Sequence, residues 1–170
     1  MKTLVYFMHP QAEKSIRGRQ ILDCLKSKPN TTIREISTIY NKRTSFTPEE
    51  VQAEQEFIIQ HERIVFAYPM YWYSIPAYGR AFMESVFTMG FAFVYAAKAN
   101  AKLDGKKFKC IVTLGATAKY FTKEFLGTPE SIQCQMNALC TYTGMDYQGS
   151  DFYYSEDGAD KVAQICSAFD

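Results

Sequence analysis

Five short apolar segments alternate along the chain with stretches of helical character, and this alternation constrains the fold more than any other feature. The apolar segments cover residues 4–8, 32–36, 64–68 and 108–114, and a fifth lies within 147–154. Repeated strand–helix alternation predicts one parallel sheet with helices on both faces and right-handed crossovers between strands. We therefore predict a single doubly wound α/β domain over residues 1–170.

Local signals place the predicted helices between these strands. Thr47-Pro48-Glu49-Glu50 has an N-cap threonine, a proline at N1 and a glutamate at N3, the pattern of a capping box. Thr128-Pro129 opens a later helix that Gly144 ends. Apolar stripes are predicted for the first, third and last of these helices at the following positions: Gly18, Ile21, Leu22 and Leu25; Ala77, Ala81, Phe82, Ser85 and Val86; Ala159, Val162, Ala163 and Cys166.

Five strands favour the order 2-1-3-4-5 over that of the larger six-stranded dinucleotide fold. A sheet with this order binds its ligand where the carboxyl ends of strands 1 and 3 part. The loops after strands 1, 3 and 4 are therefore the places to look for a site.

Charge and cysteine content exclude several classes of protein. Nineteen Lys and Arg against eighteen Asp and Glu leave a net charge of +1, which gives no field to attract nucleic acid or an anionic membrane. Five cysteines without a C-x-x-C pattern, and only two His, indicate neither a disulfide framework nor a metal site. We expect reduced, mostly buried thiols. The apolar run at residues 4–8 is too short for a signal peptide, so we also expect a cytoplasmic, soluble protein.

The loop after strand 1, residues 9–17, leads into a helix whose N-terminus could hold a phosphate, with His9, Ser15 and Arg17 as further donors. Neither G-x-G-x-x-G nor a Walker A pattern is present. The alternative is an ordinary N-cap at Ser15.

The loop after strand 3 holds three consecutive large rings, Tyr71, Trp72 and Tyr73, between Pro69 and Pro76. Aromatic residues make up 15% of the chain, so the surplus needs a purpose beyond core packing. This loop suits a planar, hydrogen-bonding heterocycle, and a protein interface is the alternative. The loop after strand 4, residues 113–120, has small residues that let a ligand approach the backbone; Tyr120 is either an acid there or a packed or surface ring.

Together these loops resemble the flavodoxin-like NAD(P)H:quinone oxidoreductase family, which includes ancillary subunits of glutathione-gated potassium efflux systems. Residues 69–77 are similar to its flavin-contacting loop, His9-Pro10 with Ser15 to its phosphate loop, and Gly90-Phe91-Ala92-Phe93 to its G-F-A-Y segment. The resemblance implies Tyr120 as the catalytic candidate and the following cofactor-binding residues: His9, Ser15, Ile16, Arg17, Pro69, Met70, Tyr71, Trp72, Tyr73, Thr113, Leu114, Gly115 and Ala116.

The sequence departs from the family pattern in three places. Ala116 replaces the last glycine of T-T-G-G and requires a negative φ, and Arg17-Gly18 stands near where many members have Asn. Some members place a Tyr and a His beside the flavin as a proton relay, but no His follows Tyr120. Any relay must therefore differ here.

The resemblance implies ping-pong chemistry, in which a nicotinamide passes hydride to flavin N5 and leaves, and a quinone or similar acceptor is then reduced by two electrons at the same place. FMN is preferred to FAD because the chain has no obvious extra segment for an adenosine. The family is dimeric, so Phe91, Phe93 and Tyr95 are predicted to reach a partner subunit. A regulatory subunit of a potassium efflux transporter is the first alternative. A one-electron flavodoxin carrier is the second, disfavoured by the near-neutral charge.

Overall fold

The computed structural model describes residues 1–95 and 101–170, and its centre is a five-stranded parallel sheet with the order β2-β1-β3-β4-β5. The predicted fold and strand order are therefore confirmed. The strands are β1 Thr3–Phe7, β2 Thr31–Glu35, β3 Arg63–Pro69, β4 Lys107–Thr113 and β5 Asp146–Tyr153.

Among the described residues, five helices follow the strands as the sequence predicts, and a sixth, a single turn directly after β2, was not predicted. They are α1 Ile16–Lys26, α2 Ile36–Ile39, α3 Pro48–Ile59, α4 Ala77–Val86, α5 Glu130–Thr143 and α6 Ala159–Ser167. The capping box at Thr47 is present, and Gly144 ends α5 with a φ of +80°. Within the two described ranges, no helix combines the length and apolar character that crossing a membrane requires.

Two apolar clusters lie on opposite faces of the sheet, because successive side chains of a strand point to opposite faces. In β1, Tyr6 belongs to the cluster that also contains Phe82 of α4, whereas Phe7 belongs to the cluster under α1 and α6. The first cluster contains many of the aromatic residues. In it the Phe66 ring packs edge-on against the rings of Tyr6 and Phe108, at centroid distances of 6.0 and 5.0 Å respectively. Many of the chain's rings are thus ordinary core.

The predicted apolar stripe of α4 is wrong at three positions. Ala77 is exposed and Ala81 and Ser85 are half-buried, whereas Tyr78, Gly79 and Met83 are buried. The reason is the close approach at Gly79, where an added side-chain carbon would lie 2.8 Å from Ile75 and 3.0 Å from the Met8 sulfur. A pattern of apolar side chains takes no account of a glycine that faces the sheet. In α6 the predicted Cys166 is buried, but Ala159 and Ala163 are exposed, and Ile165, which was not predicted, is buried.

The expectation of reduced thiols is wrong for one pair. Cys24 of α1 and Cys166 of α6 form a disulfide, with Cα atoms 6.4 Å apart and a sequence separation of 142 residues. The spacing of the cysteines in the sequence does not predict this disulfide, because the two residues are brought together only by the packing of α1 beside α6. Cys110 and Cys140 are buried free thiols, and Cys134 is exposed.

Candidate functional site

A cavity of about 520 Å³ opens at the carboxyl edge of the sheet, within the size range of small-molecule sites. The loops after β1, β3, β4 and β5 all line it. Ten of the predicted cofactor-binding residues are brought together in its wall: His9, Ser15, Ile16, Arg17, Pro69, Met70, Tyr71, Thr113, Leu114 and Gly115.

Four predicted residues, all within the described ranges, do not line this cavity. Trp72, Tyr73 and Ala116 belong to the lining loops but not to the wall, and Tyr120 lies further along the loop after β4. Tyr120 is 43% exposed, its ring stands 5.6 Å from that of Phe125, and the Lys119 ammonium lies 4.9 Å from its centroid. Tyr120 is thus a surface ring at the edge of the site.

Sequence reasoning missed the contribution of the β5–α6 loop. Ser155, Asp157 and Gly158 line the cavity, as do Lys14, Gln20 and Tyr153. The Tyr153 hydroxyl donates to Gln20 Oε1 at 2.8 Å, which joins the end of β5 to α1. The turn signal Asp157-Gly158 after the last strand was the available clue. This signal places the β5–α6 loop at the cavity only once α6 is known to pack beside α1.

The N-terminus of α1 forms one end of the cavity. Ser15 is the N-cap, and its Oγ accepts from the Gly18 N–H at 3.2 Å, so the hydroxyl hydrogen remains available to a ligand. Among the described residues, the N–H groups of Ile16 and Arg17 have no protein acceptor, as expected for the first turn of a helix. A helix N-terminus with these donors suits a phosphate.

Side chains near the N-terminus of α1 add a hydrogen-bond donor and positive charge to this end of the cavity. The Gln11 N–H donates to His9 Nδ1 at 3.1 Å, which leaves Nε2 to carry the hydrogen of the neutral ring. Burial lowers the pKa of His9, so at neutral pH the ring acts as a neutral donor. The Arg17 guanidinium, which donates to the Ser155 carbonyl at 3.4 Å, and Lys14 provide positive charge.

A tight turn in the β3–α4 loop forms a second wall. Tyr71 and Ser74 exchange backbone hydrogen bonds of 3.1 and 3.0 Å, and between them Trp72 and Tyr73 both adopt left-handed backbone, with φ of +50° and +58°. Non-glycine residues pay about 1–2 kcal/mol each for this conformation. The Trp72 side chain is 97% exposed, while Tyr71 lines the cavity. Within residues 1–95 and 101–170, the N–H groups of Trp72 and Tyr73 have no protein acceptor.

The β4–α5 loop forms the third wall with its backbone. A side-chain carbon added to Gly115 would meet nothing within 4 Å, so a ligand can approach the peptide closely. In the part of the chain that the structure describes, the N–H groups of Gly115 and Ala116 have no protein acceptor. Ala116 is not one of the described residues with positive φ, so alanine fits where the family pattern has glycine.

This set of donors fits the phosphate and the ring of a flavin nucleotide. Unpaired N–H groups and basic side chains at α1 match a phosphate. The unpaired N–H of Gly115 in the cavity wall, and those of neighbouring residues in the same two loops, match the hydrogen-bonding edge of a flavin ring. The match rests on backbone groups for the ring and on a helix N-terminus for the phosphate.

Comparisons with known proteins agree with this architecture. The Flavodoxin_2 family model, described as a flavodoxin-like fold, matches residues 1–169. The chain is 36% identical over 116 residues to YrkL of Bacillus subtilis (strain 168), an uncharacterized NAD(P)H oxidoreductase; the match covers 68% of this chain and 63% of that protein. It is 29% identical over 117 residues to the glutathione-regulated potassium-efflux system ancillary protein KefG of Cronobacter sakazakii, covering 67% and 58%.

A solved structure gives the same fold. General stress protein 14 of Treponema denticola, in complex with FMN, superposes with a TM-score of 0.83 at 22% identity, covering 99% of this chain and 95% of the other. At that identity the likeness concerns the fold. The matches to YrkL and KefG span less than two thirds of the length of those relatives.

Proposed function

The chain belongs to the Flavodoxin_2 family, and from this premise we propose that it is an FMN-dependent NAD(P)H oxidoreductase that reduces quinones or similar acceptors by two electrons. The observation that carries the proposal is the convergence, around one cavity, of the N-terminus of α1 and the loops after β3 and β4. Gly115, whose N–H is unpaired among the described residues, lies in the cavity wall, and the unpaired N–H groups of Trp72, Tyr73 and Ala116 belong to the same two loops. The named activity of YrkL supports the same class of reaction.

We assign the phosphate end to α1. Ser15 donates its hydroxyl hydrogen, Ile16 and Arg17 donate their N–H groups, and His9 donates from Nε2. The aligned peptides of α1 contribute a partial positive charge at the same point. These groups bind and orient the cofactor and leave the ring end to the other loops.

We assign the ring end to backbone rather than to side chains. Trp72 and Tyr73 act through their N–H groups, since the Trp72 side chain lies in solvent, and Gly115 and Ala116 act in the same way from the opposite loop. When bound, FMN supplies acceptance of hydride from a nicotinamide and its transfer to the acceptor. The fixed N–H dipoles stabilise the negative charge that the ring gains on reduction.

We further propose a homodimer, a state that the resemblance implies. Phe93 and Tyr142 pack with centroids 5.0 Å apart in an apolar groove between α4 and α5, and Tyr95 beside them is 85% exposed. Phe91 is buried in its own core at 7% exposure, so the expectation that it reaches a partner is not supported. Sedimentation equilibrium tests this: a mass of one chain at micromolar concentration would contradict it.

The experiment that tests the activity is anaerobic stopped-flow mixing of the FMN-loaded protein with NADH or NADPH, followed by a quinone. Bleaching of the visible flavin absorbance, with rapid recovery on adding quinone, is expected. A bound flavin that neither nicotinamide reduces would contradict the proposal.

A second candidate function is that of an ancillary subunit of a potassium efflux system, and the similarity to KefG favours it. Such a protein would bind a transporter on the cytoplasmic side, the location predicted for this chain. Co-purification with a co-expressed transporter, unaffected by removal of the flavin, would support this function over catalysis.

A further inference from the structure

The backbone that the β4–α5 loop presents to the cavity is held from one side. We call residues 114–118 the ring-side segment. The Leu114 N–H donates to the Tyr153 carbonyl at 2.9 Å, and the Ser155 N–H donates to the Ala116 carbonyl at 3.1 Å. Both bonds reach the end of β5 and the start of the β5–α6 loop, so the β5 side fixes where the segment lies.

The third attachment is a side chain. The Ala118 N–H donates to Glu156 Oε1 at 2.7 Å, a charge-assisted bond that crosses from one loop to the other. Ala118 opens a single 3₁₀ turn that ends at Tyr120, and within the described residues Thr117 before it makes no capping bond with its own side chain. The Glu156 carboxylate therefore takes the place of the missing cap.

We propose that Glu156 is a positioning residue for the flavin ring, acting through the Ala118 N–H on the unpaired N–H groups of Gly115 and Ala116. This rests on the proposed function, because those groups matter for chemistry only if they face the flavin. Glu156 is not among the described residues that line the cavity, so it acts by holding the ring-side segment in place.

The neighbouring carboxylate has a different use, which makes the assignment specific. Asp157 Oδ2 accepts from the Tyr154 N–H at 2.7 Å and closes the turn of its own loop. Glu156 instead joins that closed turn to the loop after β4. Asp157 therefore stabilises the turn of the β5–α6 loop, and Glu156 links that loop to the ring-side segment.

The test compares Glu156→Ala with Glu156→Gln in the full chain loaded with FMN. Loss of the acceptor frees the ring-side segment, and the preference for reduced over oxidised FMN falls about tenfold, which lowers the two-electron midpoint potential by about 30 mV. The Gln variant keeps an acceptor oxygen and stays within about 10 mV of the wild type on the same scale. The ratio of FMN to riboflavin affinity is unchanged in both variants, because the phosphate end is untouched.

Glu124→Ala is the matched control, since it removes one carboxylate from the β4–α5 loop, which contains Ala118, without touching the Ala118 N–H. Hydrogen exchange of the Ala118 amide in the flavin-free protein gives a readout that needs neither FMN nor turnover, and it is expected to accelerate in Glu156→Ala alone. An unchanged exchange rate, an unchanged potential, or a Gln variant that behaves like Ala overturns the proposal. A flavin that nicotinamides do not reduce would instead count against the proposed function, because the potential is measured with a chemical reductant.

Discussion

The two ends of the cavity are built in opposite ways. At the α1 end, Ser15 is buried, Gly18 packs against the Phe7 ring, and the helix start is fixed by the core below it. At the β3–α4 turn, Trp72 is almost wholly exposed on a backbone that its residue type disfavours. The α1 end is therefore specified by packing, and the turn by two mutual backbone hydrogen bonds.

The difference indicates which side chains matter. At the α1 end, adding one carbon disturbs the hydrogen-bond donors of the helix N-terminus, because atoms of the helix, its N-cap and the core are in direct contact. At the turn the side chain can change freely as long as the left-handed backbone is kept. The following predictions test that contrast.

Gly18→Ala is expected to have the largest effect. The added carbon would lie 2.4 Å from Ser15 Oγ and 2.7 Å from the Phe7 ring, so the cap or the core must shift. Overpacking of this kind costs about 1–3 kcal/mol, and a cost near 3 kcal/mol in binding weakens FMN by roughly 100-fold. Fluorescence titration of the apoprotein with FMN measures this. Asp23→Ala in the same helix is the control. Unaltered FMN affinity in Gly18→Ala would contradict the claim that core packing positions the donors at the α1 end.

Tyr120→Phe is expected to change turnover only a few-fold, well short of the roughly 10²–10⁴ that general acid catalysis contributes. The reason is the position of Tyr120 on the surface, beside Phe125 and outside the cavity wall. Steady-state kinetics with NADH and a quinone decides this. A loss of several orders of magnitude would assign the phenol a role in proton transfer.

Trp72→Asn is expected to leave FMN affinity within about threefold, a difference below about 1 kcal/mol. Asparagine tolerates left-handed backbone better than tryptophan, so the free energy of unfolding should rise slightly. Urea unfolding and FMN titration measure the two quantities. A large loss of affinity would mean that the indole ring, and not the backbone, binds the flavin.

In the flavin-free protein, His9→Asn is expected to have the smallest effect, a change in the pH dependence of stability. Burial lowers the pKa of His9 in the folded apoprotein below the unfolded value, so the unfolded state takes up the proton first. The contribution of His9 to the free energy of unfolding is therefore fully present above about pH 6.5, and it is lost as the pH falls from there through the lowered pKa. The variant should show a shallower fall in urea midpoint between about pH 7 and 5, and an identical fall would contradict this.

The sequence was sufficient for the strand order and for the α1 end, because Gly18, Ile21, Leu22 and Leu25 form a local pattern with a capping residue before it. It was also sufficient to mark the aromatic turn. It could not show that Trp72 points away from the cavity, because backbone conformation decides that, nor that Ser155 and Asp157 join the site, because that depends on α6 lying beside α1. The Cys24–Cys166 pair was missed for the same reason.

Titration of the apoprotein with FMN and with riboflavin, which differ only in the phosphate, tests most directly whether the cavity holds a flavin with its phosphate on α1. Wild-type protein should bind one FMN and prefer it to riboflavin by at least about 100-fold, roughly 2.7 kcal/mol. Gly18→Ala should lose most of that preference, and Trp72→Asn should keep it. Equal affinity for the two flavins, or no binding of either, would contradict the assignment.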